Sequence, residues 1–353
     1  MELEAKINTI RELLKNKKIL LAFSGGADST VVAKIASEVA KSVLAVTIDN
    51  GVMPSSCIQN AENIARQMGI DHMVISEDYL LDEHFKENKP NRCFICRNKM
   101  YSKLETVAQE KGFKCLVDGT NISDLLEDRP GIMVNYQKNI FSPLVESGMT
   151  QEDVLDFLKK ENLEFSTSTT CLATRISTGS EITTKKINRI SYAESLIKNL
   201  SSANFIRVRD QGDMGIIEVD SYSSLLNPNT LQHIDSELKA VGFKKVVLDI
   251  GDSSKKKKDL VVYKPCKDEL NKIMFETELP YPINIELTCI ELEKMGIVKC
   301  SPGMGIAMLE VEGRNVTIFK KGKIVARRVK DQEDAQKLLI KVLPKIRRFV
   351  SEI

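Results

Sequence analysis

The sequence predicts an α/β fold, a parallel sheet covered by helices and followed by small α+β units. Three observations lead there. Four short apolar runs, at 18–23, 43–48, 72–76 and 114–118, have the length and composition of buried strands. The stretches between them, at 30–40, 57–68 and 97–111, space their apolar residues at helical intervals. Strands that alternate with helices imply parallel pairing. Finally, polar turns follow three of the runs: Ser24-Gly25-Gly26-Ala27-Asp28-Ser29, Asp49-Asn50-Gly51 and Asp118-Gly119-Thr120-Asn121. In a parallel sheet such turns lie at the carboxyl ends of the strands, where ligands bind.

Residues 4–16 read as an amphipathic helix ahead of the first strand. Past residue 176, a helix at 185–200, strands at 204–209 and 215–220, a helix at 231–241 and a strand at 244–249 suggest a small α+β unit. A third block ends in strands at 305–311, 315–320 and 323–329, turned by Gly313 and Lys321-Gly322, and a helix at 332–343. Three domains are therefore expected: 1–175, 176–254 and 255–353. The last boundary rests on Gly251-Asp252-Ser253-Ser254 and the lysines at 255–258.

The chain has 353 residues, 42% of them hydrophobic, and a net charge of +2. No run of apolar residues is long enough to span a bilayer, so no membrane association is expected. The acidic start, Met1-Glu2-Leu3-Glu4, has no apolar signal region, which points to the cytoplasm. Residues 255–353 carry 21 Lys and Arg against 14 Asp and Glu, leaving −5 on the first 254 residues. Such asymmetry fits a nucleic-acid contact or ordinary solvated helix faces.

The Ser24–Ser29 turn joins a strand to a helix N-terminus. Free N–H groups and the positive end of the helix dipole converge there, so the turn is an anion site. It lacks the lysine of a Walker A loop. The eight cysteines are not expected to form a disulfide framework in a large cytoplasmic chain. Cys93 and Cys96 form a C-x-x-C pair with no second such pair, which argues against a four-cysteine zinc site. With Cys171 they make three thiolates, a set that can hold a [4Fe–4S] cluster and leave one iron open. Spacing alone leaves the cluster and three inert thiols both open. Cys115 reads as a small buried apolar residue and Cys57 has no partner in the pattern. Cys266, Cys289 and Cys300 could form another metal site, but spacings of 23 and 11 match no ligand pattern. His72, His84 and His233 are scattered, so no catalytic triad is expected.

Read together, the motifs resemble a known family. Ser24-Gly25-Gly26-x-Asp28-Ser29 is similar to the PP-loop of ATP pyrophosphatases. Arg92-Cys93-x-x-Cys96-Arg97-x-x-Met100-Tyr101, Asp118-Gly119-Thr120-Asn121, Asp128-Arg129-Pro130-Gly131, Ser142-Pro143-Leu144, Cys171-Leu172-Ala173-x-Arg175 and Arg207-Val208-Arg209 follow in order. This series resembles the LarE-like PP-loop sulfur transferases over roughly residues 1–250. The resemblance implies an adenine nucleotide alpha-hydrolase-like sheet. It also implies ATP and Mg²⁺ at Ser24, Gly25, Gly26, Asp28 and Ser29, with AMP and pyrophosphate released. The acceptor would be a small molecule, such as a pyridinium carboxylate nucleotide. In one branch of the family a single cysteine, matching Cys171, gives up its own sulfur. In the other, cysteines matching Cys93, Cys96 and Cys171 bind a [4Fe–4S] cluster, and the presence of all three places the chain there.

Arg207 and Arg209 match the paired arginines of the family. Alternate positions on a strand put both on one face, where two guanidiniums suit a phosphate. Glu194, in the helix just before, reads first as a solvated helix residue, with a polar site residue as the alternative. The expected function is ATP-dependent sulfur transfer with Cys171 and Asp28 essential, served by a separate sulfur donor. A tRNA thiolase, or a cysteine donor without a cluster, is the alternative. A homo-oligomer is compatible with either.

Overall fold

The computed structural model describes residues 3–166, 170–251, 262–265 and 272–350. The lysines at 255–258 and Cys266 lie outside the described residues.

The first unit opens with α1 (Leu3–Leu14), β1 (Lys18–Ala22), α2 (Ala27–Val39), β2 (Ser42–Asp49), α3 (Ser55–Gln67) and β3 (Asp71–Ser76). It continues through α4 (Glu83–Lys86), α5 (Arg92–Lys111), β4 (Cys115–Val117), α6 (Ile132–Gln137), α7 (Pro143–Glu146) and α8 (Gln151–Lys160). The four strands pair in parallel in the order β3-β2-β1-β4. Successive side chains of β1 face opposite sides of the sheet. Ile19 and Leu21 pack with Ile10 of α1, Val31 of α2 and Phe157 of α8, while Leu20 packs with Tyr101 and Leu104 of α5. The carboxyl ends of β1, β2 and β4 therefore open on one edge, as expected from the turns.

The second unit holds α9 (Thr184–Leu200), β5 (Ile206–Gln211), β6 (Met214–Val219), α10 (Pro228–Ala240) and β7 (Lys245–Asp249). Its sheet runs β5-β6-β7, antiparallel then parallel. The third unit contains β8 (Val262–Pro265), β9 (Ile273–Glu278), α11 (Ile285–Leu292), β10 (Ile297–Ser301), β11 (Ile306–Val311), β12 (Arg314–Phe319), β13 (Lys323–Val329) and α12 (Gln332–Val342). Its strands form one antiparallel sheet, β10-β11-β12-β13-β9-β8. This unit shares a core with the first: Ile122, Leu125, Ile132 and Val145 are buried with Phe275, Tyr281, Leu343 and Ile346. Among the described residues no helix is long and apolar enough to cross a membrane.

Cys289 and Cys300 are joined by a disulfide between α11 and β10, which overturns the reading of these two as metal ligands. The expectation of no disulfide framework did not foresee this one bridge. Their Cα atoms stand 6.1 Å apart, within the span a disulfide bridges.

Candidate functional site

The anion loop is built as its sequence requires. Gly25 has φ +68°, and a Cβ there would stand 2.9 Å from Ala61 Cα, so no other residue fits without moving α3. Gly26 caps α2 with no side-chain hydrogen bond, and the first intrahelical donor is Thr30 N, which donates to Gly26 O. The N–H groups of Ala27, Asp28 and Ser29 precede that bond and are the orphan donors of the first turn. Ser24 Oγ and Ser29 Oγ lie 3.2 Å apart, and Gly26 N donates to Ser24 Oγ. Behind the loop, the turn after β4 runs so close that a Cβ on Gly119 would stand 2.7 Å from Ser29 N.

Asp28 follows on the first turn of α2. Asn121 Nδ2 donates to its Oδ1 at 2.8 Å. Burial, and then the neighbouring carboxylate of Asp124, push Asp28 up to about 6. Burial raises Asp124 as well, opposed by Arg129, whose Nη1 lies 2.6 Å from Asp124 Oδ1. Because the folded chain takes up the Asp28 proton at a higher pH than the unfolded chain, stability falls as pH rises through the interval from about 4 to about 6. Asp28→Asn is expected to stabilise the protein at pH 7.5, by on the order of 2–3 kcal/mol at most, and to abolish ATP use. Thermal melts at pH 7.5 and pH 4 check this. The gain should vanish at the lower pH, and a gain that persists there would contradict a buried charge at Asp28.

One buried network ties this edge of the sheet to the cysteine helix. Asp118 accepts hydrogen bonds from Tyr101 Oη (2.8 Å), Thr120 Oγ1 (2.6 Å), Asn135 Nδ2 (2.8 Å) and Ser142 Oγ (2.6 Å), and pairs with Arg97 Nη2 at 2.5 Å. Burial opposes its charge, yet Arg97 and these donors hold the Asp118 carboxyl below the usual carboxylate range. Arg97 Nε also donates to Asn135 Oδ1 at 3.0 Å. The first turns of α5 and the end of β4 are thus a single rigid piece.

Cys93 and Cys96 occupy the first turn of α5, three residues apart and on one face. Cys171 approaches from a loop after α8. The turn at Asn50 organises both elements. Asn50 Oδ1 accepts from Val52 N, so its Nδ2 faces Cys96 Sγ at 3.8 Å. Leu172 N donates to Val52 O at 2.9 Å, which fixes the residue after Cys171. Burial, then the neighbouring thiols of Cys171 and Cys93, push Cys96 up to about 12. Burial raises Cys171 too, with Arg92 and Arg175 among the groups opposing it. Among the described residues no three His, Cys, Asp or Glu side chains stand in a metal-ligand arrangement.

Arginines surround Cys171. Arg175 is buried, donates to Cys171 O and Thr170 O, and pairs with Glu194 at 2.8 Å. Arg207 and Arg209 project from one face of β5. Arg209 pairs with Glu218 at 2.9 Å and donates to Thr174 O, which follows Cys171 by three residues. Arg207 stacks 4.6 Å over Phe205 and makes no ion pair among the described residues. Burial, Arg175 and Arg209 all disfavour its charge. Such crowding of like charge is relieved when an anion binds.

Comparison with known proteins agrees with this layout. Residues 1–129 match the PP-loop domain family. An uncharacterized protein of Methanocaldococcus jannaschii is 33% identical over 245 residues, 69% of this chain and 93% of its own length. The chain belongs to the PP-loop family. The pyridinium-3,5-bisthiocarboxylic acid mononucleotide synthase of Lactiplantibacillus plantarum is 28% identical over 256 residues, 70% of this chain and 92% of that enzyme. A tRNA-specific 2-thiouridylase of Bacteroides fragilis is 33% identical over 119 residues, 30% of this chain and 32% of that enzyme.

In this PP-loop protein Glu194 is not a solvated helix residue. It neutralises the buried Arg175 and accepts from Val208 N at 3.0 Å, so it joins the Cys171 loop to β5. Asn50, Asn121 and Asn135 orient the site through their amides, yet only their places in polar turns or in no motif at all were visible in the sequence. Cys115 is half-buried against the core of the sheet, where burial raises its thiol. A cavity of about 930 Å³ lies between α8 and α12, lined among others by Asp153, Asp156, Glu333 and Lys337. It contains neither the anion loop nor a cysteine.

Proposed function

We propose that this chain is an ATP-dependent sulfur transferase that activates an oxygen of a small anionic acceptor as its adenylate and replaces it with sulfur at Cys171. What supports this reading is Cys171 held between Arg175 and the Asn50 turn, which also faces Cys96, on the scaffold that carries the PP-loop. The loop donors and the α2 dipole would hold the ATP phosphates. Asp28 and Asp124 offer the oxygen ligands that Mg²⁺ prefers, and the ion would neutralise charge as the α-phosphorus is attacked. The acceptor oxygen bonds to that phosphorus and pyrophosphate leaves. A sulfur nucleophile then bonds to the activated carbon and AMP leaves with the electron pair of the broken C–O bond. Arg207, Arg209 and Arg175 would hold a phosphate of the acceptor beside Cys171. The relative from Lactiplantibacillus plantarum supports a pyridinium carboxylate nucleotide as that acceptor.

The three thiols suit a [4Fe–4S] cluster by donor chemistry, since soft thiolates match iron–sulfur sites. Cys93, Cys96 and Cys171 would hold it, and it would supply a place to carry sulfide. The second reading is a tRNA thiolase, favoured by the thiouridylase relative and the basic C-terminal block. Much of that basic charge is already paired: Arg314 with Asp334, Lys341 with Glu312, Lys323 with Glu276 and Arg347 with Glu291.

Anaerobically purified protein with ATP and Mg²⁺ is expected to yield AMP and pyrophosphate, and to contain iron and sulfide. Steady ADP formation would overturn the PP-loop chemistry. Submicromolar binding of bulk tRNA, with affinity falling by roughly 0.7–0.9 log units per phosphate contact for each log unit of salt, would favour the second reading.

A further inference from the structure

The third unit grips one segment of the first, residues 122–136, through several independent contacts. Ile122, Leu125 and Ile132 lie in its core. Tyr281 Oη donates to Leu125 O at 2.6 Å, and Arg348 Nη2 lies 2.7 Å from Asp128 Oδ1. Arg347 stacks 3.7 Å over Tyr136, and Arg348 stacks 4.7 Å over Tyr281. Tyr281 and Leu125 are both buried, so the hydrogen bond between them is made out of water, where it is worth most.

The opposite side of the same segment faces the anion loop. Asn121 N donates to Asp124 Oδ2 at 3.0 Å while Asn121 Nδ2 holds Asp28. Arg129 pairs with Asp124 and with Glu127. A Cβ on Gly131 would stand 3.1 Å from Cys93 O, so the segment also rests on the cysteine helix. A cavity of about 20 Å³, room for one water, is lined by Asp124, Arg129, Tyr281 and Arg348. Nη1 of Arg348 is buried without a hydrogen-bond partner among the described residues. Residues of the third unit and the acidic pair of the loop therefore lie on two sides of one short stretch of chain.

We infer that Tyr281 and Arg348 are positioning residues for the nucleotide site, holding the 122–132 segment so that Arg129 stays on Asp124 and Asp124 stays beside Asp28. The inference rests on the reading of the Ser24–Ser29 loop as the ATP site. It assigns the C-terminal unit a part in ATP binding, and by reciprocity ATP tightens the docking of that unit.

The test uses the full chain carrying Tyr281→Phe, Arg348→Gln, or the exchanged pair Asp128→Arg with Arg348→Asp. ATP·Mg²⁺ affinity is read by calorimetry, KM and kcat by pyrophosphate release, and stability by thermal melting. Val316→Ala serves as a control, because Val316 lies on β12 in the same core but belongs to neither the Tyr281–Leu125 nor the Arg348–Asp128 contact. Tyr281→Phe is expected to raise Kd and KM for ATP by about five-fold, the loss of one buried hydrogen bond, and Arg348→Gln, whose partner Asp128 is 60% exposed, by about two- to three-fold, each with kcat within about two-fold. The exchanged pair is expected to bind ATP more tightly than Arg348→Gln. Val316→Ala should lower Tm with KM unchanged. Unchanged ATP affinity in folded Tyr281→Phe and Arg348→Gln would overturn the inference, as would an equal KM change in Val316→Ala. Wild-type protein that binds no ATP would overturn the nucleotide reading itself.

Discussion

Cys171→Ala is expected to abolish sulfur transfer, by at least about a thousand-fold, while leaving ATP-dependent pyrophosphate release in place. The separation follows from where the groups lie. The anion loop, Asp28 and Asn121 stand at the carboxyl ends of β1 and β4 and are held by hydrogen bonds among themselves. The Cys171 backbone is fixed independently of its sulfur, by Leu172 N on Val52 O and by Arg175 on the Cys171 carbonyl. Alanine therefore removes the nucleophile and leaves the loop standing. Neither neighbour shares the place in which Leu172 N and Arg175 hold the Cys171 backbone, since Cys93 and Cys96 belong to the separate helix α5. Cys93→Ala and Cys96→Ala separate the two ways Cys171 could act. If the three thiols share a cluster, each of these variants loses transfer and iron together. If Cys171 gives up its own sulfur, both remain active for one turnover and the spent protein loses sulfur at Cys171 by mass spectrometry. Cys115→Ala, which touches only the core of the sheet, should behave as wild type in transfer. Full transfer activity in Cys171→Ala would end the assignment of that residue.

The sheet and its ligand edge were legible because buried parallel strands are nearly continuous apolar runs, and because a glycine-serine turn before a helix has few other meanings. The helix after the anion loop starts at Ala27, three residues earlier than its apolar spacing suggests, because the first turn is polar by function. The short helices α4, α6 and α7 have no room for a helical period and were invisible. α8 was missed although Thr150 and Asp153 form a capping box that marks its start. What sequence could not supply is long-range pairing. Glu194 meets Arg175 across 19 residues, Asn50 meets Cys96 across 46, and Tyr281 meets Leu125 across 156. Cys289 and Cys300 illustrate the same limit, since connectivity does not follow from spacing. The basic C-terminal block looked like a separate appendage for a related reason. Its net charge is readable, but the apolar residues of the first unit that complete its core, such as Ile122 and Leu125, lie far away in sequence.

Gly119→Ala is expected to weaken ATP binding by a hundred-fold or more. The added Cβ would stand 2.7 Å from Ser29 N, 2.9 Å from Asp28 C and 3.1 Å from Asp28 Cβ. Two of those three are backbone atoms at the start of α2, so no rotamer change relieves the contact. Either α2 or the end of β4 must move by several tenths of an ångström. Movement of α2 carries the orphan N–H donors of the anion loop with it, and movement of β4 pulls Asn121 from Asp28. Both outcomes spoil groups whose value depends on being held in place before the ligand arrives, and misplacement on this scale costs on the order of a hundred-fold. Gly112→Ala separates this effect from general strain. Gly112 has φ +71° after α5, so alanine there is strained by roughly 1 kcal/mol, but among the described residues nothing lies within 4 Å of its added Cβ. That variant should melt earlier and bind ATP·Mg²⁺ like wild type. Calorimetric titration of both folded variants decides the matter: wild-type affinity in Gly119→Ala would mean that the close approach of β4 to α2 does not shape the nucleotide site.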